Sequence, residues 1–386
     1  MINMKDYNII LINLDGLRKD SVELCPTLNF FKNESYYFSN MFSVAPYTFA
    51  ALHAVFSGMY PSRNGMNAYY NMFKFKKDEI VTLPQSLQRY GYYTSCDIIS
   101  KVVIPNQGFN ELNVFDEETV NFQERHKELI KRLSKKAKFF LFLHFTETHK
   151  HLVREIVQKY KQESNDDAYF DSQEENIQRY NSYLPTCDKY VSIIIETLKE
   201  VGIDKKTILI FFSDHGTSIG EKKGEKFYGV FAYDYTIKVF CILNIPGQNS
   251  LTTDKQCRII DLFPTIADIV GDPLGNDFKK VQGENLFNLI NDSEEHEREV
   301  FVETGGLYGP WPSSKKHNVF CVRFNNKKLI YNDTPETWEF YDLKQDPNEL
   351  NNIYNENLSD VKLMKKRLCH YLKENEIETK IPSKNF

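Results

Sequence analysis

The stretch Ile208-Leu209-Ile210-Phe211-Phe212-Ser213-Asp214-His215-Gly216 decides how this chain is read. A short unbroken apolar run that stops at polar residues predicts a strand buried on both faces. This one stops at a carboxylate and an imidazole. A second run, Ile9–Leu14, stops at Asp15-Gly16, and two more, Phe139–Phe145 and Lys238–Leu243, have the same character. Between and after them lie helical patterns: Leu83–Arg89, Glu124–Leu133, Tyr190–Val201, Ile259–Val270 and Val361–Lys373. Strands alternating with helices predict an α/β fold, with a mostly parallel sheet covered by helices on both faces. In such sheets chemistry gathers at the carboxyl ends of the strands.

Two polar stretches interrupt the pattern. Lys150–Asn176 reads either as a solvated loop or as a lid over a site. Gly271–Arg298 reads as a connector. After it come the strand-like pieces Val319–Phe324, Lys328–Tyr331 and Glu339–Leu343, and then the terminal helix. The expected organisation is a catalytic domain over 1–300 and a small antiparallel α+β subdomain over 301–386.

Composition narrows the class. The 386 residues are 41% hydrophobic and 26% charged, which excludes a disordered or collagen-like chain. The net charge of −5 gives no footprint for nucleic acid. The seven cysteines are scattered and form no Cys-x-x-Cys pair, which argues against a disulfide framework and for a reducing compartment. No run reaches the roughly 18 apolar residues of a membrane span, and the N-terminus lacks the flanks of a signal peptide. The expectation is a cytoplasmic protein without a membrane span.

Three places carry candidate chemistry. Asp15 and Asp214 each end a strand, where an aspartate either caps the next helix or holds a cation. Together with His215 they make a plausible divalent-metal cluster. Thr48 follows Pro46-Tyr47 at the predicted start of a helix. It is either a plain N-cap or a residue at a helix N-terminus that receives a phosphoryl or sulfuryl group.

These motifs, in order, resemble the sulfatase family of the alkaline phosphatase superfamily. The resemblance covers Asp15-Gly16 at the first strand end, Cys25-Pro26-Thr27-Leu28, and Thr48 through Ser57-Gly58-Met59-Tyr60-Pro61-Ser62-Arg63-Asn64-Gly65. It continues through Thr82-Leu83-Pro84 with Gly91-Tyr92-Tyr93-Thr94, and Phe139–His144 with Thr148-His149. Ser213-Asp214-His215-Gly216 with Gly220-Glu221 follows, then Asp261-Leu262-Phe263-Pro264-Thr265. Trp338–Leu343 with Asp346-Pro347-Asn348-Glu349 ends it.

The resemblance implies an alkaline phosphatase-like fold and one divalent metal ion (Mn, Zn, Mg or Ca) on Asp15, Asp214 and His215. It implies Thr48 as nucleophile and His149 as the substrate-facing imidazole. His144, inside an apolar run, reads as a core histidine, and His53 as a packing residue. Lys222, Lys223 and Lys226 either contact a substrate anion or form a solvated basic turn. His149, Asp188 and His317 are candidates for a second metal, with no spacing to commend them.

The chain also departs from the family. Sulfatases oxidise a cysteine or serine in Cys/Ser-x-Pro-x-Arg to formylglycine. Aligned on Gly58, this chain has Thr48 and Leu52 at the nucleophile and arginine positions. Threonine cannot give that aldehyde and resembles the phosphoryl-transferring relatives. The expected activity is therefore a metal-dependent phosphoester hydrolase, or a phospho-group transferase, working through a phospho-threonine on a small-molecule or glycan phosphoester. The alternatives are a sulfate-ester hydrolase and a non-catalytic binding protein that retains the fold.

Overall fold

The computed structural model describes residues 4–154, 167–223, 227–272, 280–291, 298–308 and 312–381. Thirteen strands are described: β1 (Asn8–Leu14), β2 (Tyr36–Phe42), β3 (Tyr93–Ile98), β4 (Glu111–Val114), β5 (Phe139–Phe145), β6 (Thr207–Phe212), β7 (Lys238–Asn244), β8 (Leu251–Thr253), β9 (Cys257–Arg258), β10 (Val300–Tyr308), β11 (Pro312–Phe324), β12 (Lys327–Asn332) and β13 (Thr337–Asp342). The first nine form one sheet in the order β4-β3-β5-β1-β6-β7-β2-β8, with β9 also on β2. Its β4-β3-β5-β1-β6 portion is parallel, while β7 runs antiparallel to both β6 and β2.

Period-two alternation divides the apolar strands between two cores. Ile9, Leu11, Phe140, Phe142, Ile208 and Ile210 face one side, against the helices Thr48–Ser57, Leu83–Arg89 and Leu262–Val270. Ile10, Ile12, Leu141, Leu143, Leu209 and Phe211 face the other, against Pro26–Asn33, Phe122–Leu133 and Leu184–Glu200. Burial on both faces is why these strands read as continuous apolar runs.

The predicted architecture is present, and the sheet is wider than the apolar runs indicate. β2 and β3 carry polar residues that hide them. In β3, Thr94, Ser95 and Asp97 are fully buried. Asp97 is held there by Arg125 (2.7 and 2.8 Å) and by His126 (3.1 Å).

Register positions the site. Asn13 pairs with His144 on one side of β1 and with Phe212 on the other, so the three strands end level. The residues that follow them, Asp15, Thr146 and Asp214, emerge on one edge.

β10 to β13 form a separate antiparallel sheet. Asn325 and Asn326 join β11 to β12 with φ of 49° and 54°, the left-handed pair that a two-residue hairpin turn requires. The helix Ser359–Glu374 packs on this sheet through Val361, Met364, Leu368 and Leu372. Phe301, Phe320 and Leu329 lie in the same apolar cluster as the strands of the large sheet. The expected boundary at 300/301 thus falls at the start of β10, inside a continuous core.

The loop expected over Lys150–Asn176 is helical where it is described. Helices run to Leu152, over Asp167–Asp171 and over Gln173–Asn181. The middle of the proposed lid, 155–166, lies outside the described residues. Within the expected connector, Leu286–Asn291 is a helix. Among the described residues no helix is long and apolar enough to cross a membrane.

Candidate active site

Asp15 leaves β1 into the turn at Gly16, whose φ is +67°. Asp214 leaves β6, and its backbone N–H donates to Asn13 Oδ1 at 3.0 Å, tying the two strand ends together. His215 follows directly. Asp15, Asp214 and His215 are 3%, 0% and 0% exposed, and each offers a ligand atom within 4.8 Å of the others. His215 Nδ1 lies 2.7 Å from the Gly216 carbonyl, which only a ring N–H can donate to. Nδ1 is thereby turned to the backbone, and Nε2 faces the carboxylates, 3.6 Å from Asp15 Oδ1 and 3.8 Å from Asp214 Oδ2.

Two carboxylate oxygens in this group, Asp15 Oδ1 and Asp214 Oδ2, are buried without a hydrogen-bond donor. Buried polar atoms are seldom left so. Burial by itself would raise the Asp15 carboxyl, but His149, His144 and His215 outweigh it and hold it well below the usual carboxylate range. Burial, and then the Asp15 charge, push the Asp214 carboxyl up. A divalent cation held here would satisfy both orphaned oxygens and relieve this repulsion. Two carboxylates and an imidazole form a donor set that suits such an ion.

Thr48 opens the helix Thr48–Ser57, with Tyr47 as the extended residue before it. No side-chain cap is made there, so the plain N-cap alternative for Thr48 does not hold. Its Oγ1 lies 3.2 Å from His215 Nε2, facing the ligand group. The helix ends at Gly58, φ +65°, where an added Cβ would meet Val281 at 2.8 Å and Phe263 at 2.9 Å. This packing fixes how far the helix can slide, and with it Thr48.

His149, in the short helix after β5, bonds through Nε2 to the Tyr228 hydroxyl. The Tyr228 ring stacks on His215, centroids 4.4 Å apart. Burial, then Tyr69, Asp15 and Asp214, push the Tyr228 hydroxyl well above its ordinary value, so it stays a donor. The structure thus gathers Asp15, Thr48, His149, Asp214 and His215 on one edge.

Other candidates fall elsewhere. The Lys222 ammonium donates to Tyr341 OH (2.6 Å), the Glu349 carbonyl (2.9 Å) and Glu339 Oε2 (3.5 Å). Its three protons are spent on β13 and the loop that follows it, which corrects the expected substrate contact. Lys223 is exposed, and Lys226 lies outside the described residues. Asp188 caps the helix Pro26–Asn33, accepting from Thr27 N and Leu28 N. The His317 side chain is not among those described. His53 is buried and bonds to the Phe49 carbonyl of its own helix, as a packing residue does.

Sequence reading missed three residues. Tyr228 sits in no motif. Asn13 is hidden inside an apolar run. His144 is buried as expected, yet its Nε2 is 2.8 Å from Asp15 Oδ2 and orients that carboxylate. A polar residue inside an otherwise apolar buried strand was the available signal for both His144 and Asn13.

The comparisons with known proteins agree with this geometry. The Sulfatase family model matches residues 8–272, and the model for the C-terminal region of N-sulphoglucosamine sulphohydrolase matches 224–377. The chain belongs to the sulfatase family. It is 31% identical over 183 residues to arylsulfatase K of Bos taurus, across 45% of this chain and 32% of that one. It is 28% identical over 187 residues to N-acetylglucosamine-6-O-sulfatase of Bacteroides thetaiotaomicron, across 46% of this chain and 32% of that one. The matches thus span about a third of these relatives' length.

Solved structures share the fold over nearly the whole chain. A protein bound to its substrate D-glucosamine-2-N,6-O-disulfate superimposes with a TM-score of 0.76 at 19% identity, covering 96% of this chain and 98% of that one. A phosphonate monoester hydrolase from Silicibacter pomeroyi gives 0.74 at 15% identity, covering 96% of each.

Proposed function

We propose that the protein is a metal-dependent hydrolase of oxyanion esters, with sulfate esters of small molecules or glycans as its substrate class. The observation that carries the hydrolase reading is the buried Asp15–Asp214–His215 group, with two unpaired carboxylate oxygens, facing the Thr48 hydroxyl. Family membership and the names of the relatives support sulfate over phosphate.

Asp15, Asp214 and His215 would hold the cation. Bound there, it supplies positive charge against an ester oxygen and favours the deprotonated form of a nearby hydroxyl. Thr48 aims its oxygen from a helix N-terminus, whose free N–H groups and dipole favour an incoming anion. Thr48 Oγ, its proton released to solvent, would attack the central atom as the bond to the ester oxygen breaks; water then attacks the same atom, the bond to Thr48 Oγ breaks, and Oγ takes back a proton as the inorganic anion leaves. His149, bonded at Nε2 to Tyr228, would give the leaving oxygen its proton from Nδ1. His144 keeps Asp15 in orientation, the role that partners of metal ligands commonly play.

One observation on this chain favours a second reading. Thr48 and Leu52 replace the formylglycine precursor and the arginine of sulfatases. A formylglycine diol releases sulfate by elimination, whereas a threonine ester must be displaced by a second attack. That route suits phosphorus, and with it phosphodiester hydrolysis or phospho-group transfer.

Turnover of an aryl sulfate, an aryl phosphate and an aryl phosphodiester with one common aryl group, with and without chelator, separates the readings. The sulfate as best substrate supports the first reading, and a phosphate ester as best substrate replaces it with the second. Metal binding without turnover of any of the three points to a binding protein. The cytoplasmic location stays part of this proposal, supported by seven cysteines that are all free and buried.

A further inference from the structure

A polar cavity of about 290 Å³ opens between the large sheet and the C-terminal sheet. It shares no residue with the ligand group or Thr48. Its charged wall comes from Arg18 and Lys19 after β1, Lys238 at the head of β7, and Arg323 near the end of β11. Asp20, Glu221, Asp234 and Glu349 line it as well.

The cationic and anionic side chains of the lining are equal in number, but they are not evenly paired. Arg18 pairs with Asp20 and Glu221. Asp234 and Glu349 share the fully buried Lys328 ammonium, at 2.8 and 2.7 Å. Three donor groups on this wall nonetheless lack a carboxylate within hydrogen-bond distance among the described residues. Among the described residues, Lys19 and Lys238 have no carboxylate at ion-pair distance. Arg323 is 4% exposed, and its Nε–H is buried without an acceptor, the nearest carboxylate oxygen being Asp234 Oδ2 at 3.7 Å. The rest of that guanidinium is fixed by Gln256 and by the Phe42 ring, 4.3 Å from its centre.

A buried, unsatisfied donor beside two unpaired ammonium groups is an electrostatic defect unless something anionic completes it. Burial presses the Lys238 ammonium down; Asp234 opposes this, while Arg323, Lys19 and Lys328 add to it. An anion would reverse that balance. Charge-assisted hydrogen bonds from lysine and arginine are the ordinary means of holding sulfate, phosphate or carboxylate.

We propose that this cavity binds a small oxyanion, held by Lys19, Lys238 and the Nε–H of Arg323. The volume leaves room for substituents on the anion. It could arrive as a free ion or as a second anionic group on a substrate, and the chemistry of recognition is the same.

The test is calorimetric titration of inorganic sulfate, and separately of inorganic phosphate, into the full chain with EDTA present and ionic strength held with chloride. We expect one saturable site in the wild type, retained in Asp15→Asn and weakened at least tenfold in Lys238→Met and severalfold in Lys19→Met. Absence of saturable binding overturns the proposal, as does equal affinity in both lysine variants. Loss of binding in Asp15→Asn also overturns it, because the ion would then sit at the ligand group. Circular dichroism checks folding; if Lys238→Met does not fold, the partly exposed Lys19→Met carries the comparison.

A kinetic arm distinguishes the sources. A KM that rises in the variants for a carboxylate-bearing aryl ester, but not for its neutral analogue, identifies a group on the substrate. An unchanged KM for both, with sulfate affinity lost, identifies a free ion. The calorimetry stands whether or not the ester-hydrolase reading does.

Discussion

Replacing Asp214 with asparagine should improve the metal-free protein and disable the metal-bound one. Asp15 Oδ1 and Asp214 Oδ2 belong to a group whose ligand atoms lie within 4.8 Å of one another. Two unit charges at that separation repel by about 3 kcal/mol at an effective dielectric constant of ~20. His144, His149 and His215 offset part of this, so Asp214→Asn should stabilise the chelated protein by about 1–2 kcal/mol.

The pH dependence has a definite sign. The folded carboxyl of Asp214 is raised, so its contribution to stability is full at low pH and is lost as pH rises through the folded value. The variant lacks that loss, and the gap between it and wild type should widen toward neutral pH. Added metal has the opposite effect. At a hundredfold excess over its dissociation constant it should stabilise wild type by about 2.7 kcal/mol, a shift of several degrees in melting temperature, and the variant by much less. Thermal unfolding in EDTA and in manganese, zinc, magnesium and calcium, at two pH values, measures all of this. A variant that is less stable than wild type in EDTA, and that gains as much as wild type from metal, would refute the reasoning.

Thr48→Ala should abolish turnover while changing stability by no more than about 0.5 kcal/mol, because Thr48 makes no cap bond; paired activity and denaturation measurements check this. His144→Ala leaves Asp15 without its 2.8 Å partner and should weaken metal binding about 10- to 100-fold with Thr48 in place, as a metal titration would show. Burial pushes the Glu303 carboxyl up to about 7, against hydrogen bonds from Tyr371 and Ser62. Its stabilisation is therefore full below about pH 4.5 and declines by roughly 3 kcal/mol as pH rises to about 7. Glu303→Gln should flatten that slope in urea unfolding, and an unchanged slope counts against the assignment.

The parts of the fold that were legible share one property. β1, β5 and β6 are buried on both faces, so nearly every residue in them is apolar and the run itself gives the strand. β2 and β3 escaped because their polar residues find partners inside, as Asp97 does with Arg125 and His126. A single sequence holds no mark of a partner that arrives from 28 residues away. β10 was missed because its apolar start, Val300-Phe301-Val302, is cut short by Glu303-Thr304-Gly305-Gly306.

The sequence by itself determined the α/β class, the carboxylates at two strand ends, the order of the sulfatase motifs and a threonine ten residues before Gly58. Each is a local property, carried by the period of apolar residues or by the chemistry of one side chain. Tertiary structure decided which of those side chains meet. The level ends of β5, β1 and β6 bring Asp15, Asp214 and His215 within 4.8 Å, and the packing of one helix turns Thr48 toward them. It also drew Lys222 away to Glu339, Tyr341 and Glu349, and it supplied Tyr228 to His149 and His144 to Asp15. The pairs Tyr228–His149 and His144–Asp15 are 79 and 129 residues apart in the chain. Only strand register and the closure of the core bring them together, because a hydrogen bond depends on distance in space and leaves no periodicity in the sequence.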